Sequence, residues 1–382
     1  MKKGKNLRSV NTDGGVNLQF KLLSAIGIII IVSGHCYHGG MELAYNWFPP
    51  YSYNLALFVF ISGYFYKTDY EENVGKYIWK RTKRLLIPAY LWNIFYGGMV
   101  AFLGLFGFTI GAKPDLYNLF VMPFVDGEAF QYNLGSWFVY PLFLVCIINV
   151  LFRKFLKLIH LDNEFIVLIV YLAIGMIGIN TALENPTAIN GIVKLLVRTM
   201  FFLPCYEFGR FYKAVLEKKD TLNNVAYFAI IFAVQLILLT FCKDLEYTPS
   251  SFTKFNNGFI IPYISSITAI AFWLRVSRLL VPAIGNSKLV RLIADNTYGI
   301  MVNQLVGFMC LKFVFYGLSL ITSGSLFGDF NVASFKSSIW YYYLPNGLQQ
   351  WAFVYLIFGL FVPILFLSLI HISEPTRRSY IS

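Results

Sequence analysis

The chain has 382 residues, of which 57% are hydrophobic and only 13% are charged. Soluble domains carry about 45–50% apolar and roughly 25% charged residues, so this composition excludes a soluble enzyme with one anchor and indicates a polytopic membrane protein. The net charge of +12 lies in short blocks between apolar runs. That arrangement is typical of membrane-flanking loops and excludes a nucleic-acid partner.

Apolar runs long enough to cross a bilayer recur along the whole chain. A spanning helix needs about 20 mostly apolar residues. The sequence predicts ten such helices, at 18–38, 51–66, 85–107, 134–152, 163–182, 191–212, 222–242, 257–275, 292–316 and 346–366. The second is short, and the sixth is interrupted by Lys194, Arg198 and Pro204. We therefore expect an all-α fold of about ten transmembrane helices.

Positive charges predict the orientation and the domain boundaries. With the N-terminus inside, the inner segments hold 21 Lys and Arg residues and the outer loops hold four. Both termini are therefore expected in the cytoplasm. We divide the chain into a tail at 1–17, a transmembrane domain at 18–366 and a tail at 367–382. The last tail contains LSLIHISEPTR, which resembles the translation of a transposon adapter used in sequencing libraries, and we interpret it as non-native.

Two of the four histidines, His35 and His38, lie at the end of the first predicted helix. Counted from an inner boundary near Leu22, His35 lies about 20 Å into a hydrocarbon core of about 30 Å. An ionisable side chain at that depth usually faces a bundle interior or a wet cavity. His35 is therefore a candidate functional residue, and a histidine bonded to a neighbouring helix is the alternative. His38 lies near the interface, where a structural role is favoured.

A basic segment precedes the third predicted helix in YIWKRTKRLLIPAYLW, from Tyr77 to Trp92. Arg81 and Arg84 are spaced i, i+3 and share a helical face, and such a pair can bind phosphate. The alternative is a topology signal with attraction to anionic lipid.

Polar and aromatic residues mark two further helices. Trp137 and Tyr140, in GSWFVYPLFL, are typical of an aromatic belt at the membrane interface. Glu207 and Arg210, in FFLPCYEFGRFYK, are spaced i, i+3 and are predicted to form an ion pair near the inner interface. Both features have a structural explanation.

The ninth predicted helix carries the segment LVRLIADNTYGIMVNQ. Asp295, Asn296 and Thr297 are predicted to open this helix and to cap it. Asn303 and Gln304 lie further inside the membrane, where amides line a cavity or join neighbouring helices. Both interpretations remain open at this point.

Several established motifs are absent from the sequence. It contains no Walker loop, no G-x-S-x-G elbow and no H-E-x-x-H. The five cysteines are scattered, with no CxxC and no metal-ligand spacing. We therefore expect no metal site and no tightly bound cofactor.

Taken in order, these segments resemble acyltransferase family 3 of membrane enzymes, in particular its fucose 4-O-acetylase-like group. The resemblance covers 17–366 and rests on IVSGH, LFVFISGYFYK, KRTKRLLIPAY, GSWFVYPLFL, FFLPCYEFGRFYK and ADNTYGIMVNQ. It implies O-acylation of a carbohydrate at the outer face, with cytosolic acyl-CoA as co-substrate. It also implies that His35 is the catalytic base and that Arg81 and Arg84, with the adjacent Lys80, bind CoA.

The chain departs from this family at two positions. Many relatives carry Arg or Lys eleven residues before the histidine, where this chain has Ser24, and Lys21 is the candidate substitute. Many also carry His near the end of the ninth-helix motif, where this chain has Gln304. The full set of pocket candidates is Lys21, Ser24, His38, Trp137, Tyr298, Asn303 and Gln304.

The sequence thus predicts an acyltransferase of the plasma or inner membrane. It is expected to move an acyl group, expected to be acetyl, from acyl-CoA to a hydroxyl of a carbohydrate, with membrane lipid around it. A carrier or flippase for a glycan or an acylated small molecule is the main alternative, although no strong internal repeat supports a transporter. An inactive sensor or scaffold is a further alternative, favoured by Ser24 and Gln304.

Overall fold

The computed structural model describes residues 12–13, 16–37, 40–41, 47–127, 129–185 and 189–372. Its helices are α1 (Leu18–His35), α2 (Asn54–Tyr64), α3 (Val74–Arg81), α4 (Ile87–Gly104), α5 (Met122–Val125), α6 (Val139–Leu158), α7 (Glu164–Glu184), α8 (Gly191–Phe211), α9 (Asn224–Phe241), α10 (Ile261–Ile284), α11 (Lys288–Asp295), α12 (Thr297–Ile321), α13 (Val332–Ser337) and α14 (Trp351–Ile372). Two short strands, β1 (Thr12–Asp13) and β2 (Val16–Asn17), pair antiparallel just before α1. The predicted all-α fold is confirmed, with this pair as a small addition.

All ten predicted spans contain helix. Eight helical stretches among the described residues are long and apolar enough to cross a membrane: Leu18–His35, Val74–Gly104, Gln131–Leu158, Glu164–Glu184, Asn224–Phe241, Ile261–Ile284, Thr297–Ile321 and Trp351–Leu369. The other two predicted spans are α2, which has only 11 residues, and α8, which contains charged residues. These two helices pack against each other, and protein covers most of α2 and the part of α8 from Val197 onward.

The start of the ninth predicted span is corrected by the structure. A short helix, α11, ends at Asp295, and Asn296 interrupts the helical path before α12 begins. Asn296 makes no side-chain cap to α12, and its amide donates instead to the carbonyl of Leu292 at 2.8 Å. The predicted cap is therefore wrong, because the amide is bonded within α11. The span itself is carried by α12, and α11 packs against α1.

The segment 108–133, which connects the third and fourth predicted spans and is therefore expected on the outer side, folds back along α4. The Asn93 amide lies about 16 Å from the outer end of that helix. It donates to the carbonyls of Asn118 at 3.0 Å and Leu119 at 2.8 Å. The returning chain is helical at Tyr117–Val121, so much of its backbone is bonded internally, as a position beside lipid requires. This part of the predicted loop is thus re-entrant.

A 3₁₀ helix, Gln131–Phe138, follows the re-entrant segment and leads directly into α6. It lies against α12. A Cβ atom at Gly135 would lie only 2.1 Å from the carbonyl oxygen of Met301, so only glycine permits this approach. The contact sets the depth at which the next side chains, including Trp137, meet α12.

A buried ionic network joins the inner ends of α6, α7 and α8, where inner means the end next to the positively charged segments. Arg153 is 1% exposed and contacts Glu207 at 2.6 Å and Glu164 at 2.7 Å. Arg210 contacts Glu164 at 3.0 Å. The predicted direct pair between Glu207 and Arg210 is therefore wrong, because each residue bonds to an oppositely charged residue on another helix.

Candidate active site

A cavity of about 60 Å³ lies between α1, α2, the 3₁₀ helix Gln131–Phe138 and α12. Its walls include three residues predicted as site residues, namely His35, Trp137 and Gln304. Residues 248–250, from the connection between α9 and α10, complete the wall. Since a cavity needs about 10–15 Å³ of such space to hold one water, this one holds a few waters or a small group and not a whole substrate.

His35 is the last residue of α1, and its side chain is half-buried. Its Nδ1 lies 2.9 Å from the carbonyl oxygen of Ile31. A carbonyl only accepts, so we assign the proton to Nδ1, which leaves the lone pair on Nε2. The ring lies near two aromatic side chains, Tyr51, with centroids 6.4 Å apart, and Trp340, with centroids 6.2 Å apart. A neutral imidazole with a free nitrogen can accept a proton from a bound hydroxyl.

Two tyrosines hold the backbone at the end of α1. Tyr342 donates its hydroxyl hydrogen to the carbonyl of His35, and Tyr51 donates to the carbonyl of Gly34 at 2.8 Å. Carbonyls in the last turn of a helix lack intrahelical partners, so these bonds satisfy them. Burial raises the pKa of the Tyr342 hydroxyl, so this hydroxyl remains protonated and can donate. The position of His35 is thus fixed from two sides.

Gln304 supplies an available acceptor to the cavity. Its side chain is 3% exposed, and its Nε2 donates to the carbonyl of Met301 at 3.2 Å. Its Oε1 makes no hydrogen bond of normal geometry with the described residues. Leaving a buried acceptor unpaired costs about 1–3 kcal/mol. A substrate hydroxyl or a water in the cavity would remove that cost.

Arg198 on α8 holds one wall of the cavity. Its guanidinium lies 4.6 Å from the centre of the Trp137 ring and donates to the carbonyls of Asp126 at 2.8 Å, Pro249 at 3.1 Å and Ser250. Pro249 and Ser250 line the cavity. In the sequence, Arg198 was visible only as an interruption of the sixth span. An arginine inside a predicted span is the signal that could have identified it.

Two pocket candidates on α1 lie far from the cavity. Lys21 forms an ion pair with Asp295 at the start of the α11–α12 junction. The Ser24 hydroxyl donates to the carbonyl of Phe20 at 2.8 Å. Ser24 lies eleven residues before His35, about 16 Å along the helix. The structure therefore gives both residues local partners and does not bring them to the histidine.

The other pocket candidates are also separate from the cavity. Asn303 accepts a hydrogen bond from Tyr96 and donates to the carbonyl of Gly299 at 2.8 Å, so it joins α12 to α4, as the helix-joining interpretation expects. Tyr298 donates to the carbonyl of Leu85 at 3.5 Å, next to the basic segment. His38 lies outside the described residues.

The basic segment lies at the inner end of α4, apart from the cavity. Lys80 and Arg81 end α3, and a π-helical turn at Thr82–Leu86 contains Arg84 and leads into α4. Arg81 is half-buried, with its guanidinium 5.1 Å from the Tyr77 ring. A π turn is wider than an α turn, so Arg81 and Arg84 do not keep ideal α-helical i, i+3 spacing. Such turns are frequent at functional sites.

The bundle and its cavity define a polytopic membrane protein with a histidine held at an internal site. The chain matches the family model described as an acyltransferase domain over residues 17–373. It therefore belongs to acyltransferase family 3 and is a membrane acyltransferase, which confirms the resemblance noted in the sequence. No curated protein and no solved structure matches the chain.

Proposed function

We propose that this protein, in the plasma or inner membrane, transfers an acetyl group from cytosolic acetyl-CoA to a hydroxyl of a carbohydrate on the outer side. The observation that supports this most is the state of His35. Its Nδ1 is bonded to Ile31, its backbone is held by Tyr342, and its ring lines a small cavity together with Gln304. These are the requirements of a general base.

In the proposed reaction, Nε2 of His35 takes the proton from the acceptor hydroxyl as that oxygen attacks the thioester carbonyl. The C–S bond breaks, and the imidazolium returns the proton to the CoA thiolate. Such base catalysis contributes about 10²–10⁴-fold to the rate. The Nδ1 bond to Ile31 fixes the tautomer, and Oε1 of Gln304 can accept a hydrogen bond from the substrate.

The donor is proposed to enter from the inner face. Lys80, Arg81 and Arg84 supply positive charge for the CoA phosphates there. The length of α2 measures the distance from the inner end of the bundle to the cavity, because Tyr64 bonds to Glu217 at the inner end and Asn54 lines the cavity. Eleven residues of helix span about 16 Å. A cavity of about 60 Å³ favours a short acyl group such as acetyl.

Sidedness tests the proposal. In sealed vesicles of known orientation, acetyl-CoA is expected to react only from the face that carries Arg81 and Arg84, and the acetylated sugar is expected only on the opposite face. Free CoA is measured as thiol, and the sugar is measured by mass spectrometry. A carrier would instead move intact substrate across without releasing CoA. Product on the same face as the CoA would contradict threading of the donor towards His35.

Removing the two arginines is expected to weaken donor binding selectively. Each charge-assisted bond to phosphate contributes about 1.5–3 kcal/mol. The double variant Arg81→Gln, Arg84→Gln should therefore raise KM for acetyl-CoA by at least about tenfold, with a smaller effect on KM for the acceptor. The matched control is Lys218→Gln, Lys219→Gln, which removes the same charge from two exposed residues of an inner segment. Equal changes of KM for acetyl-CoA in the two double variants would show that Arg81 and Arg84 do not bind the donor and act only as topology signals.

A further inference from the structure

Beside His35 lies an aromatic residue that the proposed reaction does not use. We infer that Trp340 is a stacking platform for the pyranose ring of the acceptor, and that the buried Lys312 is a positioning residue that holds this platform beside His35. The inference rests on the proposed function for the class of acceptor. It adds the surface that binds the acceptor.

Trp340 combines exposure with closeness to the histidine. Its side chain is 38% exposed, although its centroid lies 6.2 Å from that of His35 with 30° between the rings. A ligand resting on this indole would therefore lie next to the imidazole. The negative face of an aromatic ring attracts positive C–H edges, and one face of a pyranose presents such C–H groups.

The backbone on both sides of Trp340 is fixed. The ammonium group of Lys312 donates to the carbonyl of Ile339, the residue immediately before the tryptophan, at 2.9 Å. Tyr342, two residues after it, donates to the carbonyl of His35. The segment that carries Trp340 is therefore tied to α12 on one side and to the end of α1 on the other.

The burial of Lys312, which its hydrogen bond to Ile339 requires, costs free energy. This lysine is 0% exposed, and it forms no ion pair with any carboxylate of the described chain. Its other contact is with the Tyr342 ring, 5.9 Å from the nitrogen. Charged side chains inside a membrane bundle are costly and are found where they serve a function. Here the Lys312 side chain donates to the residue immediately before Trp340 and lies near the ring of Tyr342, so its use is the placement of the segment that carries Trp340.

Tryptophan at an outer surface can also be an anchor in lipid headgroups. The geometry favours the sugar, because this ring lies against His35 and its chain is fixed to the helix that carries the base. A headgroup anchor needs neither contact. A lipid anchor would be recognised by sugar binding that does not depend on Trp340.

The experiment measures sugar binding without acyl-CoA. Purified protein in lipid nanodiscs is titrated with methyl pyranosides of glucose, galactose, fucose, rhamnose and N-acetylglucosamine, and binding is followed by saturation-transfer difference NMR. We expect saturation of C–H protons on one face of at least one sugar. Trp340→Ala should weaken that binding by about tenfold, the scale of one lost stacking contact. Trp340→Phe, which keeps a ring, should retain part of it.

Two further variants sharpen the result. Trp47→Ala is the matched control, because Trp47 is also an exposed tryptophan, at 41%, but packs on Phe232. It should bind sugar as the unaltered protein does. Lys312→Met should weaken sugar binding, and Lys312→Arg, which keeps a donor, should restore part of it. A merely structural lysine would not give this selective rescue.

Two outcomes would overturn the inference. One is unchanged sugar binding in Trp340→Ala, which would leave Trp340 as a lipid anchor. The other is no saturation of any of the five sugars by the unaltered protein. Release of CoA is measured separately, so failure of the acyl-transfer proposal and failure of the platform remain distinguishable.

Discussion

His35→Ala is expected to lower the rate of acyl transfer by about 10²–10⁴-fold while the amount of folded protein in the membrane is unchanged. The variant removes the nitrogen that is proposed to accept the proton of the acceptor hydroxyl. The loss of the Ile31 contact should not unfold the helix, because Tyr342 and Tyr51 bond to backbone carbonyls and do not depend on the imidazole. Free CoA and acetylated sugar are measured together.

Histidine variants elsewhere in the chain are the controls. His160→Ala changes an exposed residue after α6 and should leave turnover unaffected. His38→Ala should retain a substantial part of the activity, because a structural role near the interface is predicted for it. Near-normal turnover in His35→Ala would refute the proposed base.

Arg153→Met is expected to destabilise the protein by about 3–5 kcal/mol, the usual cost of removing one partner of a buried ion pair. The physical reason is the surroundings of Glu207, which is 0% exposed and has Arg153 as its partner at 2.6 Å. Glu164 would still be paired with Arg210 at 3.0 Å. Thermal unfolding in nanodiscs measures the loss, as a lower midpoint relative to the unaltered protein.

A second substitution separates charge from packing. Adding Glu207→Gln to Arg153→Met removes the unpaired carboxylate, so much of the stability should return. Arg278→Met is the matched control, because its ion pair with Asp220 involves an arginine that is 30% exposed, and such pairs contribute about 0–1 kcal/mol. A midpoint for Arg153→Met equal to that of Arg278→Met would show that the buried network adds nothing.

The helices could be predicted from sequence because lipid requires long apolar segments, and each such segment can be recognised without knowing which helices become its neighbours. The same argument found His35, since a histidine deep in such a run is conspicuous. Gln304 was noted in the sequence as an amide that could line a cavity, and Trp137 as an interface aromatic; the structure brings both to the cavity of His35. Their common location depends on Gly135 meeting α12, which no periodicity encodes.

Other features depend on which helices become neighbours. Glu207 and Arg210 are one turn apart, but Arg153 and Glu164 from other helices offer them opposite charges. The re-entrant path after α4 depends on bonds from Asn93 to carbonyls that lie 25 and 26 residues later in the chain. A segment of that composition is typical of an exposed loop, so only the packed bundle distinguishes a re-entrant segment from an exposed loop.

The short helix α2 has an electrical consequence. It spans about 16 Å, roughly half the hydrocarbon core, and its outer end meets the turn Pro50–Ser52 and the cavity wall at 248–250. In the proposed reaction, an acceptor that enters from outside would bring water to this level. Most of the transmembrane voltage then falls across the inner half of the bundle, between the basic segment and the cavity. In the proposed reaction, proton exchange at His35 would therefore follow the external pH, with little influence from the cytosol or the membrane voltage.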